Sequence, residues 1–170
     1  MIKLETNYGN IVIELDEQNT PKTAANFIKY VKDGFYDGMI FHRVIKGFMI
    51  QAGGFQSGMT AKSPSKSIMN EAGQGGKNLR GTIAMARTND PHSAAAQFFI
   101  NVVDNEFLNF KSKTAEGWGY CVFGRVIDGM DIVDKIAKVR TTTQSGHRDV
   151  PEDEVIIHRA TIEQSPQSQV

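Results

Sequence analysis

The chain has 170 residues and a single cysteine, Cys121, so no internal disulfide can form and nothing calls for an oxidising compartment. The neighbours of that thiol, Tyr120, Val122 and Phe123, are apolar and predict a buried, inert side chain. Neither sign of charge is in excess. The 19 Lys and Arg balance 19 Asp and Glu, which argues against a strongly basic nucleic-acid binder or a protein held to a membrane by a basic face. No apolar run approaches the roughly 18 residues that cross a bilayer. The opening Met1-Ile2-Lys3-Leu4-Glu5-Thr6 has no hydrophobic signal region. The expectation is a cytoplasmic protein without membrane or nucleic-acid partners.

Metal-cluster spacing is lacking as well. The four histidines, His42, His92, His147 and His158, are scattered, so no metal or other cofactor is expected. His42 reads as a buried, hydrogen-bonded strand residue, His92 as a turn residue, and His147 and His158 as surface residues. No Gly-x-Ser-x-Gly elbow supports Ser93 as a hydrolytic nucleophile. Gly53-Gly54 and Gly73-Gln74-Gly75-Gly76-Lys77 lack P-loop spacing and read as flexible turns. The one tryptophan, Trp118, lies between two glycines and reads as a loop anchor.

What is present is an ordinary globular composition, 40% hydrophobic and 22% charged. A chain of this length suggests one domain, and a domain of about 150 residues buries roughly 70% of its unfolded surface. Alternating Ile2/Leu4 and Ile11/Ile13/Leu15 flank Asn7-Tyr8-Gly9-Asn10, a hairpin signal. Six further strands are predicted at Met39–Ile45, Phe48–Gly53, Thr82–Thr88, Gln97–Val102, Tyr120–Ile127 and Val155–Ile162. A helix follows Thr20 as N-cap and Pro21 as first residue, with Ala24, Phe27, Ile28 and Val31 as its stripe, Lys29 and Lys32 near its end and Gly34 as C′. A second helix is predicted over Gly129–Ala137, capped by Asp128, with Met130, Val133, Ile136 and Ala137 inward. Eight strands and two helices exclude a doubly wound sheet, which needs a helix per crossover. A closed antiparallel barrel or a sandwich is the natural alternative. The domain is read as residues 1–163, with a polar, frayed tail over 164–170. The long connections Gly54–Gly81 and Asn109–Gly119 are of the kind that carries function or moves.

The densest unusual text is Phe41-His42-Arg43-Val44-Ile45-Lys46-Gly47-Phe48-Met49-Ile50-Gln51-Ala52-Gly53. Alternation sets Arg43 on one face with Phe41 and Ile45, an expensive place for a charge without a task or a partner. A surface arginine covering apolar area with its stem is the alternative. Small and large residues alternate again in Gly81-Thr82-Ile83-Ala84-Met85-Ala86-Arg87 before Gln97-Phe98-Phe99-Ile100, which suits either tight packing or the close approach of another backbone.

Together with Ser93 and Val122-Phe123-Gly124, in this order and spacing, these stretches resemble the cyclophilin family, bacterial cytosolic branch, from about Ile2 to Glu163. The resemblance implies a closed eight-stranded antiparallel barrel capped by two helices, and peptidyl-prolyl isomerase activity on proline-containing peptides and folding proteins. It assigns the catalytic role to Arg43 and the proline pocket to Phe48, Met49, Phe99 and Leu108. It places Gln51 and Gln97 as hydrogen-bonding partners, Ala86, Arg87 and Thr88 along the substrate backbone, and Gly58 at the periphery. The pattern departs from the best-known eukaryotic members at Phe107 for tryptophan, Tyr120 for histidine and Arg87 for asparagine, and Asn109–Gly119 is longer. The first departure removes an indole N–H donor, so weak binding of cyclosporin is expected and a nanomolar Kd would overturn it. A monomer is expected. A non-catalytic proline-peptide binding module would use the same groove without needing the arginine's geometry. A hollow lipocalin-like barrel is opposed by bulky Phe27, Ile28, Val122 and Phe123.

Overall fold

The computed structural model describes residues 1–163; the tail expected to fray, 164–170, lies outside the described residues. Strands β1 (Ile2–Thr6) and β2 (Gly9–Leu15) form the expected hairpin, and helix α1 covers Pro21–Lys32. Strands β3 (Arg43–Ile45) and β4 (Met49–Ala52) carry the densest motif; β5 (Phe55–Gln56) and β6 (Thr60–Ala61) make a small ribbon. Next come β7 (Thr82–Met85), β8 (Phe98–Asn101), β9 (Val122–Asp128) and α2 (Met130–Ala137). The hairpin β10 (Thr141–Gln144)/β11 (His147–Pro151) and the strand β12 (Ile157–Ile162) complete the order.

Eight strands pair antiparallel in the order β12-β1-β2-β9-β7-β8-β4-β3. The expectation of a closed barrel is corrected. The sheet curls into a half-barrel whose edges, β3 and β12, are not joined by a ladder. The chain running into β3 stitches across that gap. Phe41 N–H donates to Val155 O at 2.9 Å and Ile157 N–H to Met39 O at 2.7 Å, around an isolated bridge between Ile40 and Ile156.

The concave interior is filled. Phe27 of α1 meets Tyr36, Phe98 and Phe123 at centroid separations of 5.1, 5.4 and 5.1 Å, with Ile2, Leu4, Ile11, Ile13, Ile83 and Ile100 around them. Tyr36 is fully buried, donates its hydroxyl to Ala96 O at 2.8 Å, and has its pKa pushed up by burial. No room is left for a lipocalin-type ligand. Ile28 departs from its expected place: it lies on the outer face of α1, and Thr23 and Tyr30 are buried instead. Val122 packs beneath the groove described below rather than in the main core.

The helix ends show how distant residues complete local signals. At its C-terminus α1 closes as predicted, with Gly34 at φ +70, Gly34 N–H donating to Val31 O, Phe35 N–H to Tyr30 O, and the Phe35 and Tyr30 rings 4.7 Å apart. At the N-terminus Thr20 does not cap; its hydroxyl donates back to Asp16 O. The cap is Glu71, a buried carboxylate from the long connection, which accepts from Thr23 N–H and Thr23 Oγ1, each at 2.7 Å. A carboxylate at a helix N-terminus gains from the dipole as well. Glu71→Ala strands the buried Thr23 donors and is expected to cost about 1–3 kcal/mol, read as a lower urea midpoint; an unchanged midpoint would remove Glu71 from this role. Asp128 likewise does not cap α2: it ends β9, and Gly129 takes the N-cap position at φ +89.

The ribbon β5/β6 and the hairpin β10/β11 were not expected. The latter had a signal: a threonine run followed by Ser145-Gly146, both at positive φ (51 and 79), as a two-residue hairpin turn requires.

Candidate active site

The β3–β4–β8 register assembles the site. Arg43 pairs with Gln51, Gln51 with Phe99, and Met49 with Asn101, so one outward face presents Arg43, Gln51, Met49 and Phe99 side by side. The face expected for Phe41 is corrected: regular alternation begins only at Arg43, and Phe41 turns into the core against Phe98 at 6.3 Å, while Ile45 stays with the groove. Against this strand face pack Leu108 and Phe107 from a 3₁₀ turn over Glu106–Leu108, Phe48 from the β3–β4 turn, and Tyr120 from the approach to β9.

The result is an open cavity of about 260 Å³ lined by Arg43, Phe48, Met49, Gln51, Ala86, Arg87, Phe99, Phe107, Leu108 and Tyr120. Its floor is apolar: Met49, Phe99 and Leu108 are all buried. Phe107 stands at the rim, 65% exposed, with its ring stacked on Phe48 at 5.7 Å. Tyr120 closes the far wall, edge-on to Phe99 at 5.8 Å.

At the polar edge the side chains form a relay. Gln51 Nε2 donates to Gln97 Oε1 at 2.9 Å, which turns Gln51 Oε1 toward Arg43, and Arg43 Nη1 donates to it at 3.3 Å. That last bond is long, so it orients the exposed guanidinium while leaving most of its five N–H groups free. Arg87 is held more firmly. Its Nε donates to Gly119 O at 3.0 Å, its Nη1 to Thr88 O at 2.8 Å, and its guanidinium carbon lies 4.5 Å from the Tyr120 ring centroid.

Two of the predicted residues, Gln97 and Thr88, line a neighbouring cavity of about 210 Å³, with Gln51, Ala86 and Arg87 on the saddle between the two. Sequence reading missed several of its walls, Lys62, Pro64, Ser93, Ala95 and Ala96. Their signal is weak, since they are spread over two loops. Thr88 is tied to Ser93 by two bonds, N–H to Oγ at 2.9 Å and Oγ1 to Oγ at 2.8 Å. Ser93 Oγ itself donates to Asp90 O, so the hydroxyl is spent on loop structure, as hydrolysis would not allow. Gly53 and Gly54 are not flexible turns but close approaches: a Cβ would stand 2.7 Å from Ala96 O at the first and 2.6 Å from Gln97 Nε2 at the second. Gly58 lies outside both cavities; its N–H donates to Glu154 Oε2 at 2.7 Å.

The surrounding loops are sutured rather than slack. Trp118 anchors its loop as expected, donating Nε1–H to Asn70 O at 3.0 Å and packing on His92 and Phe110. His92 Nδ1 in turn accepts from Asn70 N–H at 3.0 Å. Cys121 is buried under the saddle beside Thr23, and burial pushes its thiol up to about 11. His42 is buried behind Arg43 at 6% exposure, but the hydrogen bond expected for it is not made: Nδ1 has no partner, and burial holds its pKa down at about 4. Among the described residues no group of three or more His, Cys, Asp or Glu is placed to hold a metal ion, and no helix is long and apolar enough to cross a membrane. The site offers a cationic donor at the lip of an apolar slot, and no nucleophile.

Residues 1–162 match the family model described as cyclophilin-type peptidyl-prolyl cis–trans isomerase. Peptidyl-prolyl cis–trans isomerase B of Escherichia coli is 56% identical over 162 residues, covering 95% of this chain and 99% of its own. The isomerase cyp18 of Streptomyces antibioticus is 57% identical over 161 residues, covering 95% and 97%. Among solved structures, a cyclophilin-type isomerase of Cryptosporidium parvum in the presence of the dipeptide Ala-Pro superposes with a TM-score of 0.80 at 28% identity, covering 96% of this chain and 99% of that one.

Proposed function

The chain belongs to the cyclophilin-type peptidyl-prolyl cis–trans isomerase family, and on that premise we propose that the Arg43 groove is where it rotates Xaa-Pro bonds, with the proline ring on Phe48, Met49, Phe99 and Leu108. The observation that carries this reading is the juxtaposition of an exposed, relay-oriented guanidinium with a buried apolar floor in one cavity. The Ala-Pro dipeptide named for the Cryptosporidium structure supports a proline-containing ligand here.

The chemistry fits the residues. Rotation is opposed by amide resonance, a barrier of roughly 18–20 kcal/mol. No bond breaks, so the task is to favour the twisted amide over the planar one. Twisting returns the lone pair to nitrogen, which becomes an acceptor, and lessens the charge separation of the carbonyl. An apolar slot therefore penalises the planar form more than the twisted one. The Arg43 fork, held by Gln51, reaches over that slot with donors for the nitrogen or for the carbonyl as it swings. One positioned donor of this kind is worth about 10²–10³ in rate.

Arg87, fixed over Tyr120 on the saddle, and the backbone of Ala86 and Thr88 would align the residues flanking proline. The direct test is NMR of the protein with a short Ala-Pro peptide. Contacts between proline ring protons and the side chains of Phe99 and Leu108 are expected; contacts confined to other surfaces would move the site elsewhere. A pure binding module is disfavoured by the Gln97–Gln51–Arg43 relay, which a binder has no need to maintain.

A further inference from the structure

Behind the loops that carry the pocket runs a chain of buried side-chain amides that the reaction itself does not use. Asn101 on β8 is fully buried, and Asn78 and Asn105 are 1% and 4% exposed. Asn101 Nδ2 donates to Asn78 Oδ1 and to Thr82 Oγ1, both at 3.0 Å, and its Oδ1 accepts from Asn105 Nδ2 at 2.8 Å. The two ends of the chain leave it for main-chain oxygens. Asn105 Nδ2 also donates to Phe48 O at 3.0 Å, and Asn78 Nδ2 reaches Leu108 O at 3.2 Å and Tyr120 O at 3.3 Å.

Those three carbonyls belong to pocket residues that no strand of the sheet carries. Met49 and Phe99 need no such help, because the β4–β8 ladder fixes them, and Asn101 pairs with Met49 in that ladder. The amide chain is thus rooted in the rigid sheet and grips the loop side of the cavity. Three buried amides are costly unless every group is partnered, and a fully partnered network holds one arrangement where apolar packing tolerates several.

We infer that Asn78, Asn101 and Asn105 are positioning residues that transmit the register of β8 to Phe48, Leu108 and Tyr120 and so set the width of the slot in which proline turns. The inference rests on the reading of that slot as the proline pocket. None of the three touches the substrate. Their effect runs through the ring of Phe48 and the side chain of Leu108.

The test is Asn105→Ala, which removes the donor to both Phe48 O and Asn101 Oδ1, with Asn7→Ala as a comparison. Asn7, an exposed residue, donates its side-chain amide to Glu154 O and accepts from Ile156 N–H, and it lines neither cavity. Isomerisation kinetics are measured at a temperature where amide spectra show each variant folded. A displaced pocket wall acts on turnover, so kcat of Asn105→Ala should fall by about tenfold with little change in KM, a misplacement effect of modest size. Asn7→Ala should lose stability without losing kcat. If Asn105→Ala does not fold, Asn105→Leu, which is of similar size and has no donor, carries the same kinetic test. A near-parental kcat in a folded Asn105 variant overturns the inference. Proline-ring contacts to Phe99 and Leu108 in the parent separate the two claims: if they are present while the variant stays fully active, only the positioning role fails, and if they are missing, the pocket reading fails first.

Discussion

Arg43→Ala should lower kcat/KM for an Ala-Pro peptide by at least about 10²-fold, the value of one donor aimed at a developing acceptor, while far-UV circular dichroism and the melting temperature stay near the parent's. The separation of activity from stability follows from the surroundings of the side chain. Arg43 is exposed, its side-chain bond to Gln51 is a long 3.3 Å, and its place in the sheet is set by main-chain pairing with Gln51. Arg43→Lys keeps the charge but not the fork, and should fall between the two. The relay predicts the order of its members as well: Gln51 oxygen faces Arg43 only because its amide is committed to Gln97. Retention of full activity by Arg43→Ala would take the guanidinium out of the reaction.

The second large effect is a loss of stability in mild acid that traces to His42. In the folded chain burial comes first, with charge repulsion involving His147 and Arg43 adding to it, and together they lower the pKa of His42 from 6.5 to about 4. The ring is packed on Phe55 at 4.7 Å, Phe55 in turn meets His147 at 5.0 Å, and Nδ1 has no partner that could steady a proton. Between those two values the unfolded chain binds a proton that the folded chain refuses, so stability falls with pH. The contribution is intact above 6.5, declines as pH drops through the window, and is lost near 4. At about 1.4 kcal/mol per pKa unit the loss amounts to about 3 kcal/mol. Urea midpoints of the parent and of His42→Gln, compared at neutral pH and near pH 4.5, isolate the effect from that of surface carboxylates. The parent should lose markedly more than the variant. Equal losses would mean that His42 takes its proton without penalty.

Much of this was legible in the residues because the relevant information is local. The alternation in β1 and β2, the Pro21 start and Gly34 stop of α1, and the contiguous text around Arg43 each state their own structure within a few positions. The pocket floor was given by the family resemblance and not by local pattern: Met49 and Phe99 lie far apart in the chain and share a face only through the β4–β8 register. What failed to show was action at long sequence distance. Glu71 caps a helix whose Thr23 it follows by 48 positions, and no N-terminal signature can announce that. Asn78, Asn101 and Asn105 look like loop formers one at a time, and become a network only when β7 and β8 pair. The open edge of the half-barrel was hidden because a closed barrel and a curled sheet demand the same alternation; the difference lies in whether β3 and β12 meet. Gly58, carried over by resemblance as a peripheral contact, lines neither cavity and donates its N–H to Glu154.

The claim at the centre is that the Arg43 lip and the Phe99 floor together turn an imide bond without breaking one. Exchange spectroscopy on an Ala-Pro peptide, recorded with catalytic amounts of the protein and again with Arg43→Ala, bears on it most directly. Cis–trans cross-peaks should appear with the parent and all but vanish with the variant, while the proline ring still contacts Phe99 in both. Cross-peaks of equal strength in both samples, or bound peptide without exchange in the parent, would contradict it.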